Sequence, residues 1–278
     1  MTISAASTLS RVRTGSWCLL LVPSLADKIG ADMPDARWPF SHLLVDEQYV
    51  QSSVATSVHR ALLLNGGHPT PVYVKHFHFR STFDLFKHFL RKSRAMRAVS
   101  GDALLRRSGF IAPQTLIAGW RQRWGNRTDY FTVTTAMEGY RNIYQTIGDV
   151  HGRGDAEKQA FIKALAATVA ELHRTRISHG DMRAGNILCQ QDTQTGCWRF
   201  AFIDNERTRR YPYLPVSLRV KNLVQLNLLS DPALETEDRH LFYETYSTRC
   251  FGRVNKNLRN KVIAKTLKRQ AKKQAKPD

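Results

Sequence analysis

Apolar residues alternate along the first half of the chain and recur at helical spacing along the second. Gln48 to Ser57 reads as strand then loop, and Val58 to Leu64 as a second strand. Asn65-Gly66-Gly67 is a hairpin signal, because a tight two-residue turn needs residues that tolerate positive φ. Pro71 to Phe79 follows as a third strand. A helix-like run from Ser93 to Arg107 comes next, and Gly109 to Pro113 turns the chain into strands at Gln114–Ala118 and Tyr130–Thr135. The period then changes. Ala156 to Thr175 places Phe161, Leu165, Val169 and Leu172 near one helical face. Two strand-like runs, Ile187 to Cys189 and Phe200 to Ile203, flank the polar turn Gln190 to Gly196. Ser217 to Leu229 and Asp238 to Tyr246 are helical again. In the last stretch Val254, Leu258, Val262, Ile263 and Leu267 share one side of a basic helix, and Lys268 to Asp278 is expected to fray. The pattern implies an α+β chain with a strand-rich lobe over residues 47–137 and a helix-rich lobe over 138–252. A basic tail over 253–278 follows, and residues 1–46 are expected as an N-terminal extension with a single apolar run.

Composition narrows the classes. The chain has 278 residues, of which 42% are hydrophobic, as in ordinary soluble domains. No stretch reaches the ~20 apolar residues that span a bilayer. Trp17 to Leu25, preceded by Arg11 and Arg13, imitates a secretory signal but is short and broken by Pro23, so a cytoplasmic strand or extension is expected instead. The four cysteines (Cys18, Cys189, Cys197, Cys250) are scattered without metal-ligand spacing and read as reduced thiols. A net charge of +19 implies an anionic partner: a membrane surface, an acidic substrate or nucleic acid. The tail lacks aromatics after Phe251, which argues against a reader of single-stranded nucleic acid.

Chemistry is concentrated between Ile177 and Arg207, where His179, Asp181 and Asn186 form H-x-D-x-x-x-x-N and an apolar run delivers Asp204. Phosphoryl transfer from a nucleotide asks for these groups in this order. Asp181 would orient the acceptor hydroxyl and take its proton. Asn186 and Asp204 would supply hard oxygen ligands for magnesium, and Arg183 a fixed positive charge for the transferring phosphoryl group. The competing reading makes Asp181 and Asn186 turn-formers and Asp204 a helix cap. A preceding helix and a following hairpin give the order found in the lower lobe of a protein-kinase-like fold.

Upstream, Lys75 in V-Y-V-K lies on a strand where kinase-like folds place a phosphate-binding lysine. Ser52 and Ser53 occupy the turn that would cover the phosphates, although that turn has no glycine. The acid expected to pair with the lysine is usually Glu, and no Glu occurs between Glu47 and Glu138. Asp102 is the best-placed alternative, unless it is a solvated helix residue beside Gly101. Met137 falls at the hinge that would hold adenine and reads equally well as core.

The run E-L-H-R-T-R-I-S-H-G-D-M-R-A-G-N-I-L, followed by F-I-D-N-E-R, resembles the lipopolysaccharide core kinases. So do P-V-Y-V-K-H-F, S-R-A-M-R-A, G-F-I-A-P and R-V-K-N-L-V-Q-L-N, over roughly Gln48 to Tyr246. The resemblance implies a two-lobed protein-kinase-like fold, ATP with Mg2+, and work at the cytoplasmic face of the inner membrane. The acceptor would be a Kdo or heptose sugar of lipopolysaccharide or of lipid A–Kdo. It implies Asp181 as base, with His179 and Arg183 in the same loop, Asn186 and Asp204 as metal ligands, and Lys75 on phosphate. The HGD-plus-IDxE signature also matches aminoglycoside and choline phosphotransferases, and a non-catalytic basic scaffold stays open beside both. The positive charge suits an anionic, amphiphilic acceptor and a peripheral position on the anionic inner membrane.

Overall fold

The structure, a computed structural model, describes residues 9–26, 28–29, 39–50, 56–65, 68–78, 93–123 and 126–275. They fall into two units, one made of Met1–Arg107 with Pro113–Glu138 and the other of Ser108–Ala112 with Gly139–Asp278.

In the first unit the chain runs β1 (Ser10–Thr14), β2 (Trp17–Leu21), α1 (Pro23–Ala26), β3 (Leu44–Val50), β4 (Thr56–Asn65), β5 (His68–Phe77), α2 (Arg94–Arg107), β6 (Thr115–Arg123) and β7 (Asn126–Thr135). The strands form one antiparallel sheet in the order β1-β2-β6-β7-β5-β4-β3. Alternation in β5 buries Val72 and Val74 and turns Tyr73 outward, as a period of two requires. Two prolines in this inner strand have a local explanation. β5 pairs with β7 only from Val72 onward, so Pro69 and Pro71 precede the two-sided part of the strand, and on the β7 side Pro71 needs only its carbonyl, which accepts from the Ala136 N–H at 2.8 Å. Residues 1–46, expected as an extension, hold in their described part the hairpin β1–β2, and β2 pairs with β6 from Trp17↔Arg121 to Leu21↔Ile117. Trp17, Leu19 and Leu21 join Ile117, Phe131 and Val133 in one core.

The second unit contains β8 (Arg141–Asn142), α3 (Ile143–Gly152), α4 (Asp155–Arg174), β9 (Ile177–Ser178), β10 (Ile187–Gln191), β11 (Trp198–Phe202), β12 (Arg209–Arg210), α5 (Val216–Asn227), α6 (Thr236–Phe251) and α7 (Lys256–Gln274). Two small sheets, β11-β10-β8 and β12-β9, frame the segment that carries Asp181. Ile111 adds a parallel bridge to Ala201. Helix α3 has no counterpart in the sequence reading. It begins at a capping box in which Asn142 and Gln145 each bond the other's backbone N–H. The expected stripe of α4 is buried in full: Phe161, Leu165, Val169 and Leu172.

The expectation of a frayed end is corrected, since α7 continues to Gln274. Asn255 caps it by accepting from the Leu258 N–H at 3.0 Å. Leu258, Val262 and Thr266 are buried, and Asn227 donates to Thr266 Oγ1 at 3.0 Å. Docking through three successive turns holds a lysine-rich sequence helical that composition alone would leave loose.

Gly119 shows how closely the N-terminal hairpin is packed. A Cβ there would lie 2.7 Å from Leu19 Cδ2 and 2.8 Å from Phe131 Cζ. Gly119→Ala should lower stability in urea unfolding by about 1–3 kcal/mol through overpacking. The cost should be smaller when Leu19→Ala is already present. An equal cost in both backgrounds would show that β2 does not pack there.

Candidate active site

The loop from Ser178 to Ile187 contains only one 3-10 turn, Ala184–Asn186, so its shape depends on bonds made at particular residues. Gly180 lies at φ +77°, where a Cβ would sit 2.7 Å from both the Cβ and the carbonyl oxygen of Arg207. Only glycine satisfies both conditions. His179 is fully buried, its Nε2 lies 3.1 Å from the Ile203 carbonyl, and its own carbonyl accepts from Thr208 Oγ1 at 3.2 Å. Burial holds its pKa below the ordinary value, so the ring is neutral and Nε2–H is the donor. His179 thus fastens the loop to the segment that carries Asp204.

Asp181 is approached by two donors on the same oxygen. Gln225 Nε2 lies 2.9 Å from Oδ1 and Arg183 Nε 3.1 Å from it. Asn186 Nδ2 donates to the Asp181 carbonyl at 2.9 Å, which commits the nitrogen, so that any cation held by this amide would be held through its oxygen. The Ile203 N–H donates to the Asn186 carbonyl at 3.0 Å, tying Asn186 to the residue before Asp204. Asp204 adopts φ 59°, ψ 49°, a left-handed conformation that Asp tolerates better than most residues. Among the described residues no cluster of three or more His, Cys, Asp or Glu could hold a metal. An amide oxygen with one carboxylate still suits magnesium, which keeps waters and takes phosphate oxygens for its other positions.

Sequence reading misses the group that holds this loop. Gln225 on α5 donates to Asp181 and accepts from the Met182 N–H at 3.1 Å. Its orientation is unambiguous, because a backbone N–H needs Oε1 and a carboxylate needs Nε2. Behind it a buried polar chain recedes into the helices. Asn222 Nδ2 lies 3.5 Å from Gln225 Oε1, and Asn222 Oδ1 accepts from Ser178 Oγ at 3.0 Å and faces His173 Nε2 at 3.2 Å. His173 Nδ1 meets the Tyr246 hydroxyl at 2.8 Å. Desolvation pushes His173 down to about 3 and raises the Tyr246 phenol, so both are neutral and Tyr246 O–H donates to Nδ1. Asn222 and Gln225 stand three residues apart among buried Val220, Leu223 and Val224. Two amides on an otherwise apolar helix face were the available signal.

The remaining candidates belong to the first unit. Lys75 is half-buried on β5 between Val58 and Thr132, with Nζ 5.5 Å from the Phe77 ring centroid. Asp102 is buried on α2, not solvated, and accepts from Thr115 Oγ1 at 3.2 Å. Met137 is half-buried beside Glu138, the last residue of this unit. Ser52 and Ser53 lie outside the described residues.

An antiparallel sheet with its helix, followed by a helical unit carrying catalytic loop, hairpin and Asp in that order, defines a protein-kinase-like phosphotransferase. A solved structure described as WaaP in complex with acyl carrier protein is similar in fold, with a TM-score of 0.61 and 21% identity over 93% of this chain and 99% of that one. The sequence model of the lipopolysaccharide kinase (Kdo/WaaP) family matches residues 45–246, and the chain belongs to that family. It is therefore a kinase of lipopolysaccharide core sugars. No curated protein matches the chain at a significant level.

Gln225→Leu should lower kcat by about 100-fold, the order expected when a catalytic group is misplaced by about an ångström. KM for nucleotide should stay unchanged and Gln225→Glu should not rescue, since a carboxylate cannot donate to Asp181. Steady-state kinetics would check this, and a nucleotide-KM effect of the same size would point to general loosening instead.

Proposed function

We propose that the chain transfers the γ-phosphoryl group of ATP to a hydroxyl of a Kdo or heptose sugar in the lipopolysaccharide inner core, with magnesium, at the cytoplasmic face of the inner membrane. The observation that carries this reading is the carboxylate of Asp181. Gln225 and Arg183 converge on its Oδ1, and Oδ2 is the oxygen assigned to the acceptor hydroxyl. The acceptor proton passes to Asp181 as the acceptor oxygen bonds to the γ-phosphorus. The bond from that phosphorus to the bridging oxygen of ADP breaks, in line with the attack.

Arg183 is assigned to the phosphoryl oxygens. Its pair with Asp181 is 70% exposed on the arginine side, and such a pair contributes only ~0–1 kcal/mol. Exchange of the guanidinium onto phosphate is therefore easy. Asn186 and Asp204 would hold magnesium, which neutralises phosphate charge when bound. Lys75 is assigned to the nucleotide phosphates, Asp102 to pairing with that lysine, and Met137 to the adenine. Ser52 and Ser53 are assigned to phosphate by their place in the sequence alone. The rate gain comes from positioning and electrostatics, without a covalent intermediate.

Net charge and the basic face of α7 support an anionic acceptor and an anionic membrane surface, where each nearby Lys or Arg contributes ~1 kcal/mol. No helix among the described residues is long and apolar enough to cross a membrane. Labelled ATP with magnesium and deep-truncated lipopolysaccharide in anionic vesicles should give labelled lipopolysaccharide, less of it as salt rises. Aminoglycosides and choline should stay unlabelled. Asp181→Ala should abolish transfer and keep nucleotide binding; an active Asp181→Ala enzyme would remove the assignment.

A second partner is proposed from the fold neighbour, which was solved with acyl carrier protein. The second unit here holds an apolar cavity of about 400 Å³, lined by Ile147, Phe161, Leu226, Phe242 and Ile263 among others. Such a cavity suits an acyl chain. Immobilised protein should retain acyl-loaded carrier protein and not the unloaded form; equal retention of both would exclude the cavity as the reason.

A further inference from the structure

A second pocket, of about 1070 Å³, opens beside the catalytic loop within the same unit. Arg183 and Gln225, the two residues bonded to Asp181 Oδ1, line it, which puts its wall one side chain away from that carboxylate. Its far wall is the last two turns of α7, through Arg269, Gln270 and Gln274. The helix geometry explains how one element serves two cavities. Ile263, Leu267, Gln270 and Gln274 follow at intervals of four, three and four residues and so share one side. Ile263 and Leu267 line the apolar cavity, whereas Gln270 and Gln274 line the second pocket, and Leu267 and Gln270 touch both. Along this side the stripe changes from aliphatic to amide where the helix passes the catalytic loop. Tyr144 adds an exposed ring from α3. Among the described residues, two arginines and no carboxylate line the pocket.

We infer that this pocket holds the acceptor, and that its occupant is an anionic sugar of the lipopolysaccharide core. Arg269 pairs with the carboxylate or phosphate of that sugar, Gln270 and Gln274 hydrogen-bond its hydroxyls, and Tyr144 packs against the ring. The C-terminal helix thus acts as a specificity element of the kinase, beyond any attachment to membrane. The assignment rests on the core-kinase reading and names the substrate group that the same site takes. A cationic acceptor would meet two arginines there and be rejected.

The test uses the full chain and a soluble, deacylated core oligosaccharide, which removes the membrane from the measurement. Arg269→Glu should raise KM for the oligosaccharide by about 10- to 100-fold, as for one lost charge-assisted hydrogen bond. KM for ATP and the slow hydrolysis of ATP by water should stay unchanged. Lys268→Glu makes the same charge change one residue away, outside the pocket lining, and should leave every constant unchanged. The double variant Gln270→Ala/Gln274→Ala should raise oligosaccharide KM without altering the protein's charge. Equal effects of Arg269→Glu and Lys268→Glu, or none from Arg269→Glu on an active enzyme, would overturn the pocket assignment and leave the kinase reading standing. Binding of the oligosaccharide by calorimetry separates the two claims. Arg269-dependent binding without any transfer would uphold the pocket and sink the core-kinase reading, and wild-type protein that neither binds nor phosphorylates the oligosaccharide would overturn both.

Discussion

The Gln225 side chain bridges the Asp181 carboxylate and the Met182 N–H with one amide, and the rest of the catalytic loop takes its place from that bridge. The loop has too little regular structure to hold itself, so its polar groups need partners supplied by helices that are rigid for other reasons. Tyr246, His173 and Asn222 provide that support as neutral, fully buried groups, each donating toward the next and Asn222 toward Gln225. Such a chain is worth having only if complete, because each broken link leaves a buried polar atom with its desolvation unmet. The reacting carboxylate is thereby continuous with the packing of α4, α5 and α6.

A second consequence of the same architecture is the separation of labour on one carboxylate. Oδ1 takes both donors that fix its position, and Oδ2 is the oxygen left to the proposed chemistry. Arg183, exposed and weakly held, is the component able to change partner. Gln225, buried in α5, is not. Position and exchange are thus assigned to different residues.

Sequence alone conveyed whatever depends on local spacing. His179, Asp181, Asn186 and Asp204 could be proposed together because loop, hairpin and the following acid are close in the chain, and the stripe of α4 declared itself by its period. Pairings across long separations stayed hidden. Trp17 to Leu21 was visible as an apolar run, but its partner Ile117–Arg121 is about a hundred residues away, and nothing local says which strand will lie beside it. Gln225 meets Asp181 across 44 residues, so its role could not be seen even though the helix itself was expected. At the lysine-rich end the amphipathic stripe was legible and only its length was not. The charge from Lys268 onward suggested fraying, whereas burial of Leu258, Val262 and Thr266 holds the helix as far as Gln274, so that Gln270 and Gln274 line one pocket with Arg183 and Gln225.

The contact at Gly180 bears on regulation. In the H-R-D loops of protein kinases an arginine follows the histidine, and kinase activation loops are ordered when phosphorylation gives arginines a new partner. Here the space next to that position is filled by the backbone and Cβ of Arg207, and the local φ is positive. No arginine fits there. A switch of that kind has no receiver at residue 180.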